Sequence, residues 1–230
     1  MKISPTLTEV KEIAKTGKYD ILPVSCEILS DFITPIEAMR ILQNVSTHCY
    51  LLESAQANEA WGRYTFLGYD PKLEINCIDG HMKLGKLSVE TENPSEYIRQ
   101  ILSEYKSPKF DYLPSFTGGL VGYFSYDYLG YKEKSIRGKA KDTEDFKDVD
   151  LMLFDKVIAF DNLCQKIILI ANMSLDAPET GYNKAIVELK QLRELLMHGE
   201  KKQNMGGKLL GEVTPLFEKE QYCELSLIHI

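Results

Sequence analysis

A glutamate and a serine stand side by side after a short apolar stretch, at Glu53 and Ser54, and an arginine follows at Arg63. A pocket for a free amino acid needs an acceptor for the ammonium group, donors for the carboxylate and an apolar slot for the side chain. Glu53 can accept from the ammonium group, whereas Ser54 and Arg63 can donate to the carboxylate. The three residues are therefore candidate ligands of an amino acid.

Two arguments from the residues alone leave this hypothesis open. Neighbouring residues of a strand point to opposite faces, so Glu53 and Ser54 can contact one ligand only if the strand ends or bends there, or if Ser54 acts through its backbone. A simple exposed charge at the end of a strand is also the more ordinary interpretation of Glu53.

No catalytic or metal-binding signature is present in the sequence. The four histidines, His48, His81, His198 and His229, lie far apart, and no Cys/His cluster has the spacing of a zinc site. The run Gly118-Gly119-x-x-Gly122 lacks the order and the strand-then-helix context of a dinucleotide-binding loop. We therefore predict no catalytic residue and no metal ligand in this chain.

Composition is typical of one ordinary globular domain, or one and a half. The 230 residues are 44% hydrophobic and 27% charged, with a net charge of −7 and a pI of about 5.3. This acidic balance argues against a nucleic-acid partner, which usually requires a basic face. The densest basic stretch, Lys132 to Lys147, is interleaved with acidic residues and is interpreted as a solvated loop.

Targeting signals are not evident, so the expected compartment is the cytoplasm. The N-terminal residues are not followed by the apolar core of a signal peptide, and no apolar run approaches the ~20 residues that span a bilayer. The five cysteines are scattered and odd in number, which favours reduced thiols over a disulfide framework. No membrane partner is expected.

Hydrophobic periodicity predicts helices alternating irregularly with strands. Helices are predicted over about 7–15, 35–45, 94–105 and 182–198, and strands over 21–26, 50–52, 64–69, 72–78, 81–84 and 118–126. The residues 151–160 and 166–172 are predicted to pair as a hairpin across Asp161-Asn162. This pattern indicates an α+β fold, with a mainly antiparallel sheet and helices packed on it.

The domain organisation is predicted from a change in composition near residue 199. Residues 1–198 form the domain, residues 199–213, which are rich in glycine and lysine, form a linker, and residues 214–230 form a separate terminal segment.

Four phrases of the sequence carry a resemblance to a known family. They are the residues Leu51 to Ser54, Gly62 to Gly68, Gly118 to Asp127 and Asp150 to Asp155. In this order and spacing they resemble the N-terminal domain of the large component of anthranilate synthase, component I. Thr65 is a mild departure from the serine of the family's second phrase.

The resemblance implies a role in tryptophan biosynthesis. In that family the region binds L-tryptophan as a feedback inhibitor at the residues matching Glu53 and Ser54, with Arg63 nearby as a further possible donor. A C-terminal module then binds chorismate and Mg²⁺, receives ammonia from a glutamine amidotransferase subunit, component II, and releases anthranilate and pyruvate as a lyase.

The end of the chain departs from the family. Residues 214–224 resemble the start of the first catalytic helix, but residues 225–230 match nothing expected there. The sequence therefore predicts a regulatory fragment, truncated before its catalytic module and not catalytic alone. Two alternatives stay open: the same domain of aminodeoxychorismate synthase component I, from folate synthesis, and a non-catalytic module that binds an amidotransferase.

Overall fold

Two antiparallel sheets dominate the structure, a computed structural model that describes residues 2–53, 62–135, 146–203 and 206–227. The strands are β1 (Ile3–Ser4), β2 (Ile21–Leu29), β3 (Cys49–Leu52), β4 (Tyr64–Tyr69), β5 (Leu73–Ile78), β6 (His81–Leu84), β7 (Leu87–Glu90), β8 (Gly119–Phe124), β9 (Val149–Phe154), β10 (Lys156–Asp161) and β11 (Lys166–Ser174). The six-stranded sheet has the order β1-β2-β11-β10-β4-β3, and the five-stranded sheet has the order β7-β6-β5-β9-β8. The predicted α+β class with antiparallel pairing is confirmed, although the strands form two sheets.

The first two helices begin at side-chain caps. The helices are α1 (Leu7–Lys15), α2 (Pro35–Val45), α3 (Pro94–Ser103), α4 (Pro178–His198) and α5 (Lys219–Leu227), with a 3₁₀ helix at Tyr126–Tyr131. Thr6 caps α1 and Thr34 caps α2, each in a reciprocal capping box with a glutamate three residues later. Pro35 at the first helical position further favours the start of α2.

The six-stranded sheet is covered on both faces. Helices α1, α2 and α4 bury one face, where Leu22, Leu169 and Leu189 are fully inaccessible to solvent. The other face packs against the segment that leads into β8, through residues that include Leu113 and Phe116. Burial on both sides explains why the central strands are continuous apolar runs rather than alternating ones.

The predicted hairpin of residues 151–160 with 166–172 is only partly correct. The first run breaks at Asp155 into β9, which pairs with β5 and β8, and β10, which pairs with β11 and β4. The Asp155 carbonyl accepts from the backbone N–H of Asn172 at 2.8 Å and from its Nδ2 at 3.0 Å. These bonds fix the chain at the point where it leaves one sheet for the other.

Part of the predicted linker packs on α2. The backbone of Lys202 exchanges hydrogen bonds with Arg40, whose Nε donates to the Lys202 carbonyl at 2.9 Å, and Asn44 Nδ2 donates to the Glu200 carbonyl at 2.6 Å. The residues from 206 to 225 are exposed throughout, including the described side chains of α5. The division at residues 199 and 214 remains a prediction.

Apolar side chains around the edge strand β8 lead us to expect self-association. Tyr123, Phe124 and Leu129 are exposed, and Tyr126 is 86% exposed, beside a strand edge that no described strand covers. Such surfaces promote association between copies. Light scattering should show species larger than a monomer, and Phe124→Lys should reduce them together with the binding of a hydrophobic dye. A monodisperse monomer of the unmodified chain would contradict this expectation.

Candidate functional site

Glu53 lies at the end of β3, the edge strand of the six-stranded sheet. It is the first residue after the strand, and its side chain is exposed to solvent. The strand therefore ends at the position where the sequence required an end or a bend. Ser54 belongs to residues 54–61, outside the described part of the chain, so the predicted Glu53–Ser54 pair is placed only at its first member.

Arg63 lies just before β4 and is engaged by a buried carboxylate. Its Nε donates to Asp161 Oδ1 at 3.1 Å and its Nη2 donates to Asp161 Oδ2 at 2.7 Å. The guanidinium carbon also lies 4.8 Å from the centre of the Tyr64 ring. This bidentate fork is the strongest geometry for an arginine and a carboxylate, so Asp161 already occupies the Nε–Nη2 edge of the group predicted as a donor to a ligand.

Asp161 is the acidic residue buried most completely in this part of the sheet. Its side chain is 0% exposed, and Oδ1 also accepts from the backbone N–H groups of Leu163 at 3.2 Å and Cys164 at 3.0 Å. Burial alone raises the pKa of a carboxyl group, but the Arg63 guanidinium and the Cys164 N–H outweigh it and lower the pKa of Asp161 to about 2. The carboxylate therefore stays ionised across the physiological pH range.

Low pH should lower the free energy of unfolding through protonation of Asp161. Because its pKa in the folded chain is about 2 against an ordinary 3.8, the stabilisation is present above about pH 4 and is lost as the pH falls towards 2. A shift of this size corresponds to about 2 kcal/mol. Urea unfolding over this pH range should show the loss in the unmodified chain, and Asp161→Asn should lack that component. Equal pH profiles for the two proteins would show that Asp161 is not its source.

An aromatic cluster lies beneath β3 and β4, on the face away from the helices. The Tyr50 ring packs edge-on against Phe154 at 4.7 Å and Phe116 at 6.4 Å, and Phe66 meets Phe116 at 5.7 Å. Gly68 makes room for Tyr50, since a Cβ there would lie 2.2 Å from the tyrosine ring. Burial raises the pKa of Tyr50, and its hydroxyl has no hydrogen-bond partner among the described residues.

Removing the Tyr50 hydroxyl should not destabilise the protein. A buried hydroxyl without a partner costs free energy, so Tyr50→Phe should leave the free energy of unfolding unchanged or raise it by about 1 kcal/mol. Tyr182→Phe is the matched control, because the buried Tyr182 hydroxyl donates to the Pro5 carbonyl at 3.0 Å and its loss should cost about 1 kcal/mol. Denaturant unfolding of both variants makes the comparison, and a loss for Tyr50→Phe equal to that of the control would contradict it.

Two glycines, one just before β8 and one within it, lie where neighbouring atoms leave no room for a Cβ. Gly122 has φ of +152°, and a Cβ there would lie 1.9 Å from the Asp150 carbonyl oxygen on β9. A Cβ on Gly118 would lie 2.5 Å from Asn172 Nδ2, which donates to the Thr117 carbonyl at 2.6 Å. Glycine within a strand often marks a close approach by another backbone or a ligand, and here the close approach is made by neighbouring protein atoms.

A polar cleft of about 420 Å³ opens between α4 and the chain crossings that join the two sheets. Two of its three lysines lie near carboxylates: Lys156 Nζ is 2.6 Å from Asp70 Oδ2, and Lys184 Nζ is 3.8 Å from Glu188 Oε1. The third, Lys72, has its Nζ 5.4 Å from the centre of the Tyr105 ring. Because Asp70, Asp155 and Glu188 line the cleft together with the three lysines, the cleft has no net positive charge to attract an anionic ligand.

The described residues contain no group of three or more His, Cys, Asp or Glu side chains that could hold a metal ion. His48, His81 and His198 each lie near a surface glutamate, at 3.4 to 3.6 Å. Within the same described ranges, no helix combines the length and the apolar character needed to cross a membrane.

Asp161 and Asn162 are the residues of this region whose role the sequence did not indicate. They were interpreted only as the turn of a hairpin, yet Asp161 binds Arg63 and the backbone N–H of Asn162 donates to the Arg63 carbonyl at 2.9 Å. The available signal was an aspartate at the end of the apolar run Val157 to Phe160, since a carboxylate that is buried there requires a partner.

Comparison with known families gives one match over most of the chain. The family model described as chorismate binding enzyme matches residues 47–226. This match includes most of the residues predicted to form a separate regulatory domain. The prediction that a chorismate-binding module begins only near residue 214 is therefore not confirmed.

Curated relatives carry the name anthranilate synthase component 1. The protein from Acetivibrio thermocellus is 31% identical over 95% of this chain and 46% of its own length. The protein from Pseudomonas aeruginosa is 36% identical over 82% of this chain and 39% of its own length. The chain thus spans less than half the length of these relatives.

Among solved structures, a crystal structure of anthranilate synthase component I from Streptococcus pneumoniae TIGR4 is similar to the chain. It has a TM-score of 0.47 and 25% sequence identity, and the match covers 72% of this chain and 36% of that chain.

Proposed function

The chain belongs to the chorismate binding enzyme family, and from this membership we propose that it forms part of an anthranilate synthase component I. That enzyme converts chorismate and ammonia derived from glutamine to anthranilate and pyruvate, with component II as the amidotransferase partner. The observation that carries the proposal is the 31% identity to an anthranilate synthase component 1 over 95% of the chain.

Within that enzyme, we assign to this chain the binding of L-tryptophan as a feedback inhibitor. Glu53 is an exposed carboxylate at the end of a strand, where it can accept from the ammonium group of the amino acid. Ser54 follows it directly in the sequence and supplies a donor for the carboxylate. The proposal is supported by the chemistry of these side chains together with the family membership.

Mg²⁺ belongs to the reaction of the family, but the described residues do not fit it. They include no cluster of three potential ligands, so no step through the ion is assigned to them. The described part of this chain is accordingly proposed to contribute regulation and not the lyase chemistry.

Titration with L-tryptophan tests the regulatory assignment. If half of the contacts of a complete pocket are lacking, the binding free energy should fall by about 4 kcal/mol, which is about a thousandfold in affinity. A complete pocket of micromolar affinity would then become a millimolar one. Two-dimensional ¹H–¹⁵N spectra detect such weak binding, and the shifts should concentrate at Glu53 and the adjoining ends of β3 and β4.

Two variants and a second amino acid give the controls for this titration. Glu53→Gln should weaken the response, whereas Glu90→Gln, at an exposed glutamate of the five-stranded sheet, should not. L-Leucine should produce smaller shifts than L-tryptophan. No shift at Glu53, or micromolar binding by calorimetry, would each contradict the proposal as stated.

A second candidate function is binding of chorismate by this chain itself. The observation in its favour is the position of the family match, which covers residues 47–226. The same spectra recorded with chorismate and Mg²⁺ separate the two candidates. Anthranilate fluorescence should stay at the level of the blank in the presence of chorismate, Mg²⁺ and ammonium, and turnover above that level would overturn the assignment to regulation.

A further inference from the structure

We infer that Arg63 serves the proposed tryptophan site as a positioning residue, held by Asp161 and by the turn after it, and is not a ligand of the tryptophan carboxylate. The inference rests on the proposed function of Glu53. It gives Arg63 a role different from the one that its neighbourhood in the sequence suggested.

The first argument is that the guanidinium group is already engaged. Both its Nε and its Nη2 bind the Asp161 carboxylate, at 3.1 and 2.7 Å, and the Tyr64 ring lies 4.8 Å from its central carbon. Turning this edge of the group towards a second carboxylate would leave Asp161 buried with no cation, which is strongly unfavourable, so Nε and Nη2 stay with Asp161. Only Nη1 could then donate to the tryptophan carboxylate, and Nη1 alone cannot form the bidentate fork.

The second argument is that the turn after β10 forms hydrogen bonds with the backbone around Arg63. The Asn162 N–H donates to the Arg63 carbonyl at 2.9 Å, and Asn162 Nδ2 lies 3.4 Å from both the Gly62 carbonyl and Thr65 Oγ1. Arg63 thus donates to Asp161 through its side chain, and its carbonyl accepts from the backbone of Asn162 in the same turn. We call this set of contacts among residues 62–65 and 161–164 the clamp.

The clamp lies close to Glu53 along the sheet. In the β3–β4 ladder Leu52 is paired with Phe66, and β4 begins two residues before Phe66, at Tyr64. Glu53, the residue after Leu52, therefore lies at the same end of the sheet as the start of β4. Because these two strand ends lie side by side, a shift at the start of β4 is expected to shift the end of β3. Displacement of Arg63 should move Glu53 without removing any group that contacts the effector.

A double-mutant cycle with Arg63→Lys, Asp161→Asn and the combined variant tests this role. These substitutions roughly keep the size of the side chains: Arg63→Lys keeps a cation near Asp161 but removes the bidentate fork, and Asp161→Asn removes the buried charge. Two quantities are measured for each protein: the dissociation constant of L-tryptophan from the shifts at Glu53, and the exchange rate of the Asn162 amide hydrogen. Each single variant should weaken tryptophan binding about tenfold, and the combined variant should be no weaker, because both changes break one contact.

A direct ligand role predicts a different pattern. If Arg63 binds the tryptophan carboxylate, Asp161→Asn frees the guanidinium group and should preserve or strengthen binding while Arg63→Lys weakens it; this result would overturn the inference. Leu189→Ala, in the core beneath α4, is the control for a general loss of stability. If it weakens tryptophan binding as much as the clamp variants do, the positioning role is also overturned.

The two readouts separate this inference from the proposed function. Faster exchange of the Asn162 amide in both single variants, with no tryptophan response in the unmodified chain, would show that the clamp exists but that the effector is wrong. The inference would then fall together with the proposed function. A tryptophan response that survives all three substitutions would overturn the inference alone.

Discussion

Replacement of Arg63 by alanine is expected to lower the free energy of unfolding by about 3 kcal/mol, because the substitution leaves a buried carboxylate without a cationic partner. The Asp161 side chain has no exposed surface, and Arg63 is its only cationic partner among the described residues. The remaining hydrogen bonds, from the backbone of Leu163 and Cys164, do not neutralise the charge. Urea unfolding at neutral pH measures the loss.

An exposed ion pair provides the control for this substitution. Lys134 and Glu92 lie 3.2 Å apart with both side chains 78% exposed, so Lys134→Ala should change the stability by less than about 1 kcal/mol. The stability of Arg63→Ala should also recover partly at low pH, where protonation removes the buried charge of Asp161. Equal losses for the two alanine variants would show that burial of Asp161 does not decide the energetics.

Local signals in the sequence were sufficient for most individual elements, although β1 and β7 were not predicted. An Asp-Gly pair favours a tight hairpin turn, and Asp79 and Gly80 both have positive φ, 47° and 84°, between β5 and β6. The helix predicted over 35–45 begins at Pro35, directly after its cap Thr34. These features depend on contacts within a few residues, which a sequence shows directly.

Pairing between distant strands was predicted less well. The run from Leu151 to Phe160 is apolar except for Asp155 and Lys156, and the prediction placed this charged pair within one strand and not at a change of sheet. That break depends on Asn172, whose side chain amide binds the Asp155 carbonyl from another strand. A contact of this kind has no local pattern, so the sequence could indicate the strands but not their division between two sheets.

At the candidate site, too, the contact between residues distant in the sequence was not predicted. The end of β3 at Leu52, and hence the exposure of Glu53, agrees with the sequence prediction. The partner of Arg63 did not follow from the sequence, because Asp161 is 98 residues away along the chain. A free arginine near Glu53 suggested a ligand contact, whereas the structure shows a side chain already bound within the protein.

Gly122→Ala should be among the most destabilising single substitutions in this chain. At φ of +152° an alanine is strained, and its Cβ would lie 1.9 Å from the Asp150 carbonyl oxygen and 2.9 Å from Leu151 Cα, both in the backbone of β9. Backbone atoms cannot move aside as a flexible side chain can. Strain and overpacking together should lower the free energy of unfolding by about 3 kcal/mol or more.

Two other glycines separate the causes of this loss. Gly119 has a similarly unusual φ of +138°, but the nearest atom to its Cβ position is Phe116 Cε2 at 3.8 Å, so Gly119→Ala should lose only the strain energy, about 1 to 3 kcal/mol. Gly207 has open space and no positive φ, so Gly207→Ala should be close to neutral. Denaturant unfolding should therefore rank the losses as Gly122, then Gly119, then Gly207. If Gly119→Ala and Gly122→Ala cost the same, the close approach of β8 to β9 is not what requires glycine at position 122, and the unusual φ alone explains the loss.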